Sequence, residues 1–187
     1  MVLGVLEGYT ELLSTIVEFS VGLAGFSGVI GIFIHRSGHW AHVDRFRITN
    51  LLVMSLTPAF LAFFTLGLLQ IAQADIAVRI SSGVYTLTLF TLLIFLPRDR
   101  ARVPDRDKHL VGSHIFIPMA GTFVAIMVTQ ALVTISVLDR HTFTIYYYSL
   151  LVMLLLAVVQ FIRLIIARPS EGVGSDDDVE QVHGLAD

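Results

Sequence analysis

Residues 12–34 read LLSTIVEFSVGLAGFSGVIGIFI, an apolar stretch with a single charged side chain, Glu18. About 20 predominantly apolar residues are enough to cross the hydrocarbon core of a bilayer as an α-helix. Four more stretches of this kind follow, at residues 48–72, 76–96, 115–138 and 143–167. The sequence therefore predicts an all-α integral membrane bundle of five transmembrane helices.

The composition of the whole chain agrees with this class. Of the 187 residues, 55% are hydrophobic and 14% are charged, whereas soluble domains average roughly 45–50% apolar and about 25% charged residues. An ordinary soluble domain is excluded. Because the chain has no cysteine, a disulfide, a cysteine nucleophile and a cysteine-ligated zinc or iron–sulfur site are excluded as well.

The basic residues predict the orientation of the bundle. Ten of the twelve Lys and Arg residues lie in the loops after spans one and three and at the C-terminal end of span five. Lys and Arg accumulate in short cytoplasmic loops, so we expect the N-terminus outside and the C-terminus in the cytoplasm. Residues 1–168 would form the transmembrane domain, and residues 169–187, with their acidic run, a disordered cytoplasmic tail.

An acidic stripe follows one edge of the first helix. At 100° per residue, Glu7, Glu11 and Glu18 fall within about 60° of one another, together with Ser14 and Gly25. A carboxylate inside a membrane span is costly and suggests a functional site. In a homo-oligomer built around this helix, the stripe would form rings of carboxylates, as in many cation pores. We therefore predict a homo-oligomeric cation channel or permeation-type protein.

Other roles for Glu18 are also consistent with the sequence. Arg79 enters span three from the same outer side, about one turn deep, and its long side chain could pair with Glu18. Asp75 competes for Arg79 at i, i+4. Such a pair would either tune an ion path or only fix helix register, and a protonated, buried Glu18 is the third possibility. The competing functional class is a non-conducting structural or accessory subunit of a larger membrane complex.

A second edge of the first helix carries small side chains. Their small-xxx-small spacing lets helix backbones approach closely. The predicted packing residues are Ser20, Ala24, Gly25, Gly28 and Gly31, accompanied by Ser27. This edge predicts that span one lies near the centre of the bundle, against another span or another subunit.

The three histidines after span one are candidates for a metal site. His35, His39 and His42 would share a face if the helix continued, and i, i+4 histidines can bind transition metals. No nearby Cys or Glu completes the set, and Arg36 and Arg45 would repel a cation. We therefore expect a solvated interfacial loop, no metal and no other cofactor.

Polar side chains inside the later spans predict helix contacts. Hydroxyls and amides such as Ser81, Gln130 and Gln160 are more often interhelical hydrogen bonds than a substrate path. Tyr146, at the start of span five, is expected at the membrane interface, where aromatic rings are favoured. No catalytic or nucleotide-binding motif is present, so we predict neither an enzyme nor a nucleic-acid partner.

Three strings in the first third of the chain resemble those of a known group of proteins. They are AGFSGVIGIF at residues 24–33, RSGHW at residues 36–40 and VDRFRITNLL at residues 43–52. The combination of a Gly-Phe-Ser-Gly span and a basic loop with Trp and Asp-Arg is similar to a group of small bacterial multi-pass membrane proteins without an assigned activity. The resemblance implies a bacterial inner-membrane protein and gives no residue a role. The expected partners are the lipid bilayer and further copies of the chain or other membrane subunits.

Overall fold

The computed structural model describes residues 2–35, 42–101, 113–138 and 141–166. This part of the chain contains five helices and no strand. They are α1 (Val2–His35), α2 (His42–Leu69), α3 (Ala74–Ala101), α4 (Ser113–Thr134) and α5 (Thr142–Ile166). All five are long and apolar enough to cross a membrane. The prediction of an all-α, multi-pass membrane protein is therefore confirmed, while the side on which each terminus lies stays a prediction.

The helices differ in length from the apolar stretches that predicted them. Helix α1 begins at Val2, ten residues before the predicted span, and α2 begins at His42, six residues before its span. Apolarity marks the part of a helix that suits hydrocarbon, but the helical hydrogen bonds of α1 and α2 continue into the flanking residues, which contain no proline. The predicted tail at residues 169–187 lies outside the described residues.

Helices α2 and α5 form the middle of the described bundle. Helix α5 contacts the other four helices, whereas α1 packs mainly against α2, and α3 mainly against α4. Helix α1 therefore lies at the edge, and the expectation that it lies near the centre is wrong. The physical reason is that the small side chains, which allow close helix contact, lie along one edge of α1, while its opposite side carries carboxylates and large exposed side chains such as Phe19 and Phe26.

The core between the helices is filled by large side chains. Every helix contributes one that is at most 1% exposed: Leu13, Leu51, Tyr85, Phe123 and Leu150. In lipid, burial of apolar surface gives little drive for helices to associate, since acyl chains are equally apolar. Close packing and interhelical hydrogen bonds must therefore hold this bundle together.

A buried group of hydroxyls joins α2, α3 and α5. Thr65 Oγ1 lies 2.8 Å from Ser81 Oγ and 2.8 Å from the hydroxyl of Tyr146. The Tyr146 hydroxyl also donates to the Leu61 carbonyl at 3.1 Å. Tyr146 is fully buried against other helices, so its ring does not face the lipid headgroups, and its expected level at the membrane interface stays a prediction. Its hydroxyl finds its partners inside the bundle.

A second set of bonds adds α4 at a similar level. Gln130 Nε2 donates to Ser149 Oγ at 2.8 Å, and the Tyr85 hydroxyl donates to the Ser149 carbonyl at 3.1 Å. The rings of Tyr85 and Tyr146 meet edge to face with centroids 6.2 Å apart. The predicted interhelical bonds are thus present for Gln130 and Ser81, and they tie four helices together.

We expect Tyr146→Phe to lower the free energy of unfolding by about 1 kcal/mol, because it removes two interhelical bonds that average about 0.6 kcal/mol each in membranes. Tyr148→Phe is the matched control, since Tyr148 is 60% exposed and should tolerate the loss of its hydroxyl. Reversible unfolding in mixed micelles would measure both variants. Equal effects at the two positions would contradict this role of Tyr146.

Candidate functional site

Helix α1 has an inner edge that packs against α2. Ser20 and Ser27 on this edge are fully buried, and Ala24 is 9% exposed. At Gly31, an added Cβ would lie 3.6 Å from Ile48 Cγ2, an ordinary van der Waals distance. The two helices are therefore closely packed along this edge, as the small side chains allow.

Two of the predicted packing glycines have no other helix close enough to contact an added side chain. An added Cβ at Gly25 or Gly28 would meet nothing within 4 Å. Gly25 is exposed, and Gly28 is half-buried at the margin of the packed edge. The small-residue pattern thus divides, with Ser20, Ala24 and Gly31 turned to the bundle and Gly25 turned away from it.

The face opposite the packed edge carries the three carboxylates, and we call it the acidic face of α1. Glu7, Glu11 and Glu18 are all exposed on it, about 180° around the helix from Ser20 and Ser27. Within the described part of the chain, none of these carboxylates forms an ion pair or a hydrogen bond. The backbone carbonyls of Glu7 and Glu11 accept bonds from Thr10 and Thr15. The three carboxylates are therefore exposed on the described helices without a partner among them.

An aromatic stack fixes the depth of the acidic face. The rings of Tyr9 and Phe143 stack with centroids 3.6 Å apart, which places Tyr9 at the level where α5 begins. At 1.5 Å per residue, Glu11 lies ~3 Å deeper than Tyr9 and Glu18 ~13.5 Å deeper. Since a hydrocarbon core is about 30 Å thick, the stripe leads from the rim of the bundle to near its middle.

Arg79 does not contact the acidic face. Its Nη2 lies 2.9 Å from Asp75 Oδ2, and its Nη1 donates to Ser136 Oγ. Ser136 follows α4 and has a left-handed backbone with φ of 63°. Arg79 therefore ties the start of α3 to the turn after α4. The predicted pairing of Arg79 with Glu18 is wrong, and the competing i, i+4 pair with Asp75 is the one that forms.

The depth of the two side chains explains this outcome. Ser81 and Tyr146 lie at the same level, because both bond to the hydroxyl of Thr65. Arg79 precedes Ser81 by two residues. This places Arg79 within ~2 Å of the level of Phe143, so Glu18 lies ~12 Å deeper. The principal neighbours of α1 are α2 and α5, not α3. An arginine side chain does not span that depth and an intervening helix.

The predicted histidine site cannot be placed. His39 lies outside the described residues, as do the side chains of His35 and His42. Among the residues that are described, no group of three His, Asp or Glu side chains could hold a metal ion.

A scan against protein-family models and searches of curated proteins and of solved structures found no match to this chain. The resemblance of the first span and loop to small bacterial membrane proteins therefore stays a prediction. The candidate site rests on the geometry of α1.

Sequence reasoning missed the contacts that position this site. The stack of Tyr9 on Phe143 and the bond from Arg79 to Ser136 join residues far apart in the chain, and nothing in the local pattern indicates them. The pair between Asp75 and Arg79 is the exception, because its i, i+4 spacing indicates it in the sequence.

The two charges should differ in their effect on stability. Glu18→Gln removes a carboxylate that has no partner among the described residues, so we expect unchanged or higher stability in detergent. Arg79→Gln removes the link from Asp75 to Ser136 and should lower the free energy of unfolding by about 1 kcal/mol. Thermal unfolding of both variants beside the wild type would measure this. Equal losses from the two substitutions would show that the side chains act as a pair.

Proposed function

We propose that this chain is a small homo-oligomeric membrane protein that handles cations, with the acidic face of α1 lining a path between subunits. The observation that carries the proposal is the exposure of Glu7, Glu11 and Glu18 on the side of α1 turned away from the bundle. The proposal places it in a bacterial inner membrane with its N-terminus outside and its C-terminus in the cytoplasm. The excess of Lys and Arg in the loops of the opposite side supports this orientation.

The cost of Glu18 in lipid supports an oligomer. A carboxylate near the middle of a bilayer costs several kcal/mol if it faces acyl chains, and such residues almost always face other protein or a water-filled space. In the described chain the acidic face has no covering helix. Further copies of the chain would cover it, and their α1 helices would bring the carboxylates together around one axis.

The arrangement of the carboxylates suits the passage of a cation. Glu7 and Glu11, at the outer rim, would raise the local concentration of cations, and Glu18 would offer oxygen ligands deeper in the path. The centre of the single described bundle is filled by packed side chains such as Leu51, Phe123 and Leu150. A path along α1 between copies is therefore favoured over one through the middle of a single chain.

The alternative is a structural or accessory subunit of a larger membrane complex. The same unpartnered carboxylate at mid-depth favours it, because a Lys or Arg on a helix of another membrane protein would complement Glu18. In that case the chain alone would not conduct, and the acidic face would be a docking surface. The two proposals differ in whether purified chain is sufficient for ion flux.

We expect purified chain in liposomes to pass monovalent cations, and Glu18→Gln to reduce this flux about tenfold or more, since it removes the charge deepest in the path. Glu18→Asp, which keeps the charge, is the matched control and should retain most of the flux. A cation-sensitive dye in the liposome lumen would record it, and mass measurement of the solubilised particle would show whether it contains several chains.

Absence of flux from a folded, multi-chain particle would contradict the channel proposal and favour the accessory subunit. Flux that is the same in Glu18→Gln as in the wild type would show that the path does not run along the acidic face.

A further inference from the structure

We infer that Val29 and Ile32 form an apolar gate at the inner end of the cation path, which keeps the path closed for most of the time by excluding water. The inference rests on the proposed function and concerns the regulation of the same path. The observation behind it is a change in the acidic face of α1 below Glu18, from charged side chains to apolar ones.

The line of exposed residues that carries the carboxylates continues inward without them. Glu18 is followed on this line by four residues that lie within ~40° of it at 100° per residue: Gly22, Gly25, Val29 and Ile32. All four are exposed, and none of them has a polar side chain. The outer half of the line is therefore charged and its inner half is apolar.

The two glycines make Val29 and Ile32 the first side chains on this line below Glu18. An added Cβ at Gly22 or Gly25 would meet nothing within 4 Å, so packing within the described chain does not require glycine at either position. In a path lined by this face, the glycines widen the lumen. The branched side chains of Val29 and Ile32, ~16.5 Å and ~21 Å deeper than Glu18, narrow it.

A contact with α2 fixes the direction of these side chains. Gly31 is buried, and an added Cβ there would lie 3.6 Å from Ile48 Cγ2. Val29 lies ~160° around the helix from Gly31 and is 51% exposed, and Ile32 is 66% exposed. An exposed valine or isoleucine in a membrane helix ordinarily faces acyl chains. These two differ because they continue the line of Glu18.

A ring of such side chains blocks cations by dewetting. A cation keeps its hydration shell unless oxygen ligands replace it, and Val29 and Ile32 supply none. Water in a narrow apolar constriction loses hydrogen bonds that the walls cannot replace, so the constriction empties. Cations pass when neighbouring copies of α1 move apart far enough at this level to admit water.

Substitution of Val29 in the full chain tests the gate by cation flux into liposomes. Val29→Asn adds polar groups with little change in size, so we expect flux to rise about tenfold, and Val29→Leu, which enlarges the apolar ring, to lower flux about threefold. Ile32→Asn, at the second position of the gate, should also raise flux. Glu18→Gln added to Val29→Asn should remove most of the gain, because cations still pass this carboxylate. The mass and thermal stability of each particle are measured on the same preparation.

Ile162→Asn is the matched control on α5. Ile162 is 47% exposed and lies nineteen residues after Phe143, whereas Val29 lies twenty residues after Tyr9, which stacks on Phe143. In helices that run the same way across the membrane, the two positions lie within ~1.5 Å of each other in depth. Flux through Ile162→Asn should stay at the wild-type level.

The gate and the cation path fail in different ways. The gate is overturned if Val29→Asn and Ile32→Asn leave flux unchanged, or if Ile162→Asn raises it as much as they do. A loss of flux in Glu18→Gln within the same series then leaves the cation path standing. If the wild type and both gate variants pass no cations as folded, multi-chain particles, the gate and the cation path are both contradicted.

Discussion

The contact between Thr65 Oγ1 and the Tyr146 hydroxyl, 2.8 Å long and fully buried, sets the register of α2 against α5. These two helices lie in the middle of the bundle. Their register therefore sets the depth of residues on the other helices relative to one another. Through Ser81, which bonds to Thr65, it places Arg79 at the rim of the bundle, near the level where α5 begins. A hydroxyl pair can have this influence because an unbonded polar group costs more in hydrocarbon than in water.

Helix α1 packs against α2 and α5 through one edge only. Its small side chains lie against α2, and the stack of Tyr9 on Phe143 fixes its depth. The carboxylates therefore point away from the bundle that holds them. Buried hydroxyls and amides bond to one another in two groups, Thr65 with Ser81 and Tyr146, and Gln130 with Ser149. The three carboxylates of α1 have no partner in the described chain. Polar side chains within the bundle stabilise it, and we propose that the three carboxylates of α1 contact a surface from outside the chain.

The sequence predicted the parts of this structure that depend on local pattern. Five apolar stretches became five helices, and the i, i+4 spacing of Asp75 and Arg79 indicated a pair that forms. The contact of Arg79 with Glu18 failed because it depends on depth and neighbours, which are set by contacts between distant residues. The burial of Tyr146 depends on such contacts as well, since the pattern of three successive tyrosines does not show which one turns inward. The acidic stripe was predicted as a set, but its direction depended on which edge of α1 packs.

We propose that the acidic face of α1 is a contact between copies of the chain, and cysteine cross-linking in native membranes tests this directly. The chain has no cysteine, so Gly25→Cys places a single thiol on that face. Leu56→Cys is a control at a similar depth on α2, at a position 48% exposed. Oxidation should give covalent dimers of Gly25→Cys and few of Leu56→Cys. No dimer from Gly25→Cys, or equal dimers from both, would contradict the account.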